Sequence, residues 1–169
     1  MANKYLSDLH LGHAHILKMS KRGERFTDID EMNRYIIRVW NEHVDDSDDV
    51  WIPGDFSYRS GIAVGTYLEQ MKGHKHLVIG NHDIKWMKNI RLSKYFESVS
   101  HMEVIKDGKK TLTICHYPMM EWSQSRYAKW YPAGRSWLIH GHIHDSTTCA
   151  AYQYIKDHLP CALNACFEI

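Results

Sequence analysis

Apolar residues in this chain fall mostly into short runs, and each run gives way to polar residues at its carboxyl end. Val50-Trp51-Ile52 is followed by Pro53-Gly54-Asp55, Leu77-Val78-Ile79 by Gly80-Asn81-His82-Asp83, and Trp137-Leu138-Ile139 by His140-Gly141-His142. Runs of this kind predict buried strands. Tyr5-Leu6-Ser7, just before Asp8, reads as the end of another. Residues 28–44 have a helical period instead: Ile29, Met32, Ile36, Trp40 and Val44 recur on one face, behind a cap at Thr27 or Asp28 and an acidic first turn. The acidic run 45–49 ends that helix as a solvated loop. A second helix is predicted over 62–72. Met102–Lys106 and Lys110–Ile114 flank Asp107-Gly108, a pair suited to the positive φ of a hairpin turn, and the second arm leads into Cys115-His116. Residues 162–169 read as a last strand.

No linker or repeat divides the 169 residues, so the expectation is one domain spanning 1–169. Helices mixed with strands and a hairpin favour an α/β sandwich of two sheets over a purely parallel sheet. A net charge of +1 sets up no overall field toward nucleic acid or an anionic membrane. No apolar run approaches the roughly 20 residues of a membrane-spanning helix. The start of the chain lacks the apolar core of a signal peptide, and Cys115, Cys149, Cys161 and Cys166 form no CxxC pair. These features predict a cytoplasmic protein with reduced thiols.

The 13 histidines are many for this length. Several lie in the polar segments that follow the apolar runs: Asp8-Leu9-His10, Gly54-Asp55, Gly80-Asn81-His82-Asp83, His116 and Gly141-His142-Ile143-His144. Loops at the carboxyl ends of strands converge on one pocket in α/β folds. Carboxylate and imidazole donors from separate loops suit a pair of borderline divalent ions, with manganese, iron, nickel and zinc all compatible. The lack of cysteine among these segments argues against a soft structural site.

Taken in order, the five segments resemble the calcineurin-like metallophosphoesterase family, whose pattern is DxH, GDxxDR, GNH(D/E), H and GHxH. Ser7-Asp8-Leu9-His10-Leu11-Gly12-His13, Arg25-Phe26, Glu31-Met32-Asn33 and Trp40-Asn41 are similar to its small bacterial and phage-type members. The resemblance covers Asp8 to His144. It implies an αββα sandwich and a phosphoester hydrolase with two divalent ions, manganese foremost, and a metal-bridging hydroxide as nucleophile. Asp8, His10 and His144 would hold one ion, Asn81, His116 and His142 the other, and Asp55 would bridge them. His82 would protonate the leaving oxygen and Arg59 would contact phosphate. One departure stands out: Tyr58 occupies the place where the family often has an aspartate supporting that histidine.

Further substrate contacts are expected from His13, Arg25, Tyr58 and Trp122. The basic stretch Lys18, Lys21, Arg22 and Arg25 suits a phosphate but reads slightly better as a solvated loop. Between Tyr117 and Trp137, aromatic residues alternate with Arg126, Lys129 and Arg135, which suits either a base beside a phosphodiester or a lid packed on its own rings. The substrate expected is a small, nucleotide-like phosphodiester, with no membrane and no long nucleic acid as partner. The alternatives are a phosphomonoesterase of the same family and a non-catalytic scaffold on the same fold. A scaffold should have lost ligands that this chain keeps.

Overall fold

A computed structural model of the chain describes residues 2–130, 134–144 and 150–167. The first sheet is all parallel, in the order β1 (Asn3–Tyr5), β2 (Asp49–Ile52), β3 (His74–Val78), β4 (Ser98–Ser100). The second runs β5 (Met102–Asp107), β6 (Lys110–Cys115), β7 (Ser136–His140), β8 (Ala162–Asn164); its first pair is an antiparallel hairpin and the rest is parallel. Trp51 and Val78 from the first sheet pack with Leu112, Ile114, Trp137 and Ile139 from the second, so the sheets face each other across one apolar layer. A larger core lies on the other side of the first sheet, where Met32, Ile36 and Trp40 meet Val50, Ile52 and Leu77.

The helix that carries those three residues spans Ile29–His43. Before it come two single turns, α1 (Ile16–Met19) and α2 (Arg22–Arg25), which makes it α3. Its start divides the two candidate roles. The Asp28 carboxylate accepts the Glu31 N–H at 2.8 Å, and Glu31 reaches back to accept the Thr27 N–H and hydroxyl, both at 2.9 Å. The second predicted helix is shorter than its pattern: α4 covers only Val64–Leu68, held close to Tyr95 by Gly65.

Strand β3 begins three residues before the apolar run, because the Lys75 ammonium donates to the carbonyls of Met71 (2.6 Å) and Gly73 (2.9 Å) and so can be buried. Strand β4 and the short helices α5 (Asp83–Met87) and α6 (Ala150–His158) carry no period long enough to predict them. The expected last strand is a three-residue β8 followed by an isolated parallel bridge from Ser7 to Cys166. Among the described residues no helix is long and apolar enough to cross a membrane.

Candidate metal centre

Five loops, each leaving the carboxyl end of a strand, meet at one rim of the two sheets. They follow β1 (Asp8, His10), β2 (Asp55), β3 (Asn81, His82), β6 (His116) and β7 (His142, His144). Their backbone is unusual. Asp8, His10, Asp55, Arg59, His142 and His144 all have φ between +47° and +72°, and Gln124 is the only other non-glycine described with positive φ. Such conformations cost energy and persist where the surroundings enforce them. Glycine permits the close approach that does so here: a β-carbon on Gly54 would strike the His116 ring, and one on Gly141 would strike Ser7 and Asp8.

Around Asp8 Oδ1 and Asp55 Oδ2 the imidazoles stand 3.4–3.9 Å away, spacings suited to sharing a cation. Asp8 Oδ1 lies 3.4 Å from His144 Nε2 and 3.8 Å from His10 Nε2. Asp55 Oδ2 lies 3.9 Å from His10 Nε2 and 3.6 Å from His116 Nε2. On the far side of His116, its Nε2 is 2.9 Å from Asn81 Oδ1 and 3.2 Å from His142 Nδ1. The structure thus brings Asp8, His10, Asp55, Asn81, His116, His142 and His144 together. Asp8 Oδ1 and His10 Nε2 are buried with no hydrogen-bond partner, which leaves their lone pairs aimed at the shared space.

The remaining polar atoms orient these donors. Asp8 Oδ2 accepts from the Ser7 hydroxyl, the His142 N–H (3.0 Å) and the Cys166 thiol (3.1 Å), so only Oδ1 faces inward. His116 Nδ1 sits 2.8 Å from the Pro53 carbonyl and must donate to it, so that in the neutral ring Nε2 is the lone-pair nitrogen. Burial pulls His10 down to about 4 against the opposing pull of Asp8, and pushes the Asp55 carboxyl up to about 7 against the pull of His116 and the His82 N–H. Burial would likewise raise Asp8, but the neighbouring imidazoles of His10 and His144 and the Ser7 hydroxyl hold it below the usual carboxylate range. Imidazoles around crowded carboxylates form a donor set that fits a divalent cation.

No known protein-family profile matches the chain. Gene 66 protein of Mycobacterium phage L5 is 29% identical over 163 residues, which span 83% of this chain and 76% of that protein. The uncharacterized protein MJ1445 of Methanocaldococcus jannaschii is 32% identical over 141 residues, 82% of this chain and 67% of its own length. The chain belongs to the same family as that archaeal protein. Among solved structures, the protein of unknown function AQ665 from Aquifex aeolicus has a TM-score of 0.70 at 24% identity, over 97% of this chain and 89% of that one, and shares the fold.

His82 lies beside these clustered donors, with Nε2 3.9 Å from Asp55 Oδ2. Tyr58 covers its ring at 4.0 Å between centroids, and the Arg59 guanidinium lies 5.1 Å over Tyr58. Asp83, the next residue, turns away from His82. Its carboxylate accepts the N–H groups of Asp55, Phe56 and Gly80 and the Trp86 indole N–H, tying the loops after β2 and β3 together. Buried His13 joins the group, with Nδ1 3.3 Å from His10 Nδ1 and its ring edge against Tyr58.

Arg25 and Trp122 are not brought to these donors by any described contact. The Arg25 guanidinium stacks on Tyr35 at 4.2 Å. Trp122 donates to the Ser136 hydroxyl at 3.0 Å and lines a separate cleft of about 740 Å³ together with Arg126 and His158. Within the aromatic stretch it is Tyr117 that reaches the site, with its ring against both His116 and His142. Trp137 is instead a buried strand residue, and the side chains of Lys129, Trp130 and Tyr131 lie outside the described residues.

The solvated-loop reading of the basic stretch fails at Arg22. That side chain is fully buried and donates to the carbonyls of Leu9 (3.0 Å), Asp8 (2.7 Å) and Phe167 (2.5 Å). Hydrogen bonds to three carbonyls satisfy donors of the buried guanidinium.

Cys166 is the donor that sequence reasoning missed. Its sulfur shares a cluster with Asp8 and His144, and no motif precedes it in the chain to draw attention there.

Proposed function

We propose that the chain is a calcineurin-like metallophosphoesterase that hydrolyses a small, nucleotide-like phosphodiester. The observation that carries this reading is the position of Asp55 Oδ2. It stands between His10 Nε2 and His116 Nε2, at 3.9 and 3.6 Å, with a complete donor set on either side. Asp8, His10 and His144 would share one ion with Asp55. Asn81, His116 and His142 would share the second.

Two divalent ions, manganese foremost and iron, nickel or zinc otherwise, would supply the Lewis acidity and the activated water for in-line attack at phosphorus. His82, held beside Asp55 but hydrogen-bonded to it only through its backbone N–H (2.8 Å), keeps its ring available to deliver a proton to the departing oxygen. A cleft of about 310 Å³ opens from His82 between Tyr58, Arg59, Lys85 and Asn89. An aromatic face with two cations suits a base and a phosphate charge, which favours a nucleotide-like diester over a bare monoester. The reading also takes the enzyme to be cytoplasmic.

The test is hydrolysis of bis(p-nitrophenyl) phosphate and p-nitrophenyl phosphate by metal-stripped protein, with and without Mn²⁺. Metal-dependent turnover that disappears in Asp55→Ala is expected, with the diester preferred. Preference for the monoester would replace diesterase by monoesterase. Absence of turnover in protein shown to hold ions would end the hydrolase reading.

A further inference from the structure

We propose that Cys166 is a ligand of the ion shared by Asp8, His10 and His144, so that this position carries a thiolate and selects zinc or iron(II) over manganese. The inference rests on the two-ion reading of the same site and concerns which metal that site takes.

The sulfur is already at ligand spacing. Cys166 Sγ lies 3.1 Å from Asp8 Oδ2, and Asp8, His144 and Cys166 each present a donor atom within 4.8 Å of the others. Zinc bonds of about 2.3 Å to sulfur and 2.0–2.1 Å to nitrogen or oxygen place neighbouring ligand atoms in a five-coordinate set roughly 3.0–3.6 Å apart. The His144–Asp8 spacing of 3.4 Å fits that range, and the Cys166 sulfur stands within 4.8 Å of both donors.

A second, independent observation points to a cation here. Asp8 is 0% exposed, yet its Oδ1 has no hydrogen-bond partner, and neither does His10 Nε2. A buried lone pair left bare costs free energy unless something positive meets it.

The thiol is placed by backbone rather than by its own rotamer. Ser7 pairs with Cys166 in a parallel bridge: the Ser7 N–H donates to the Ala165 carbonyl and the Phe167 N–H to the Ser7 carbonyl, both at 2.8 Å. Arg22 spans the same two segments through the carbonyls of Asp8 and Phe167. Asn164 fixes two donors at once. Its amide oxygen accepts the Cys166 N–H at 3.1 Å and its amide nitrogen donates to the His144 carbonyl at 2.6 Å.

Coordination replaces the sulfur–hydrogen bond by a sulfur–metal bond and releases one proton to solvent. The cation then lies between thiolate and carboxylate, which would otherwise repel. The neighbouring position, with Asn81, His116, His142 and Asp55, has only oxygen and imidazole donors and suits manganese. The two positions would therefore differ in metal preference.

The deciding experiment loads metal-stripped wild-type protein and Cys166→Ser with Co²⁺ and records absorption. A strong near-ultraviolet cobalt–thiolate charge-transfer band is expected in the wild type alone, while both proteins keep the weaker visible cobalt bands. Zn²⁺ affinity should fall more than about tenfold in Cys166→Ser, the scale on which even residues that only orient ligands matter, with Mn²⁺ affinity unchanged. Visible bands without the charge-transfer band in wild type would overturn the role of Cys166 and leave the two-ion reading standing. The band in both proteins would assign the sulfur to another cysteine and overturn it equally. Failure of wild type to bind cobalt at all would remove both readings. Should Cys166→Ser not fold, X-ray absorption on zinc-loaded wild type decides: a sulfur neighbour at about 2.3 Å supports the ligand, and its absence refutes it.

Discussion

The Asp83 carboxylate accepts the backbone N–H of Asp55 at 2.8 Å, so a residue that is not itself a ligand candidate sets the position of the proposed bridging one. The same carboxylate holds Gly80 N–H, also at 2.8 Å, just before Asn81. Asp83→Ala leaves four buried donors unsatisfied and is expected to cost about 3–5 kcal/mol of stability, with weaker metal binding in whatever folds. Urea denaturation of the metal-free protein measures the first effect and metal titration the second. A loss below about 1 kcal/mol would mean that the clamp contributes no more than an ordinary hydrogen bond.

His82→Ala should keep both ions and lose about 10²–10⁴ in turnover, chiefly toward esters with poor leaving groups. Comparing p-nitrophenyl and alkyl esters of the same phosphate separates the effect. Equal losses on both would show that His82 does not act on the leaving oxygen.

The Tyr58 ring lies on His82 at 4.0 Å. Burial already holds the His82 imidazole below its ordinary value. Tyr58→Asp should raise that value, move the alkaline limb of the rate profile to higher pH and improve turnover of poor leaving groups. An unchanged profile would indicate that the new carboxylate does not reach the ring.

Arg22→Met removes the donors to three buried carbonyls, and a loss of about 3–5 kcal/mol is expected. Arg22→Lys should recover little, since one ammonium cannot reproduce the guanidinium fork. Thermal melts of the two variants beside wild type read this directly, and full rescue by lysine would refute the clamp.

The metal-free protein should lose stability as pH falls from about 6.5 toward 4. His10 and His13 are held down to about 4 by burial, so between those limits the unfolded chain binds more protons. Their contribution is complete above the unfolded value and lost through the folded one. Asp55 acts in the opposite sense, because a carboxyl raised to about 7 gains stability on acidification from there toward its unfolded value. Asp83, also raised by burial, acts with Asp55, but His82, His140 and His142 are lowered by burial as well, so five histidines outnumber two carboxyls. Denaturation midpoints across this range test the sign, and a rise on acidification would contradict it.

The ligand candidates were legible because they sit in compact segments directly after apolar runs, and a strand that ends in a turn leaves a local signature. The hairpin and α3 were legible for the same reason, one through Asp107-Gly108 and the other through its long period. Arg22 was not, because its partners are carbonyls, which sequence does not mark as acceptors; Asp8 and Leu9 are 14 and 13 residues away and Phe167 is 145. Cys166 was hidden similarly, being carried to Asp8 across 158 residues by a single parallel bridge. Short elements such as β4 escaped because three residues hold no period.

The left-handed backbone at Asp8, His10, Asp55, His142 and His144 bears on how such a centre can change over evolutionary time. Aspartate, asparagine and histidine are the non-glycine side chains most at home in that conformation, and they are also the oxygen and nitrogen donors that borderline metals accept. Backbone demand and coordination chemistry therefore draw on one small alphabet. Exchanges within it retune charge and metal preference one substitution at a time while the turns stay intact, whereas a β-branched intruder must rebuild the loop as well as replace the donor.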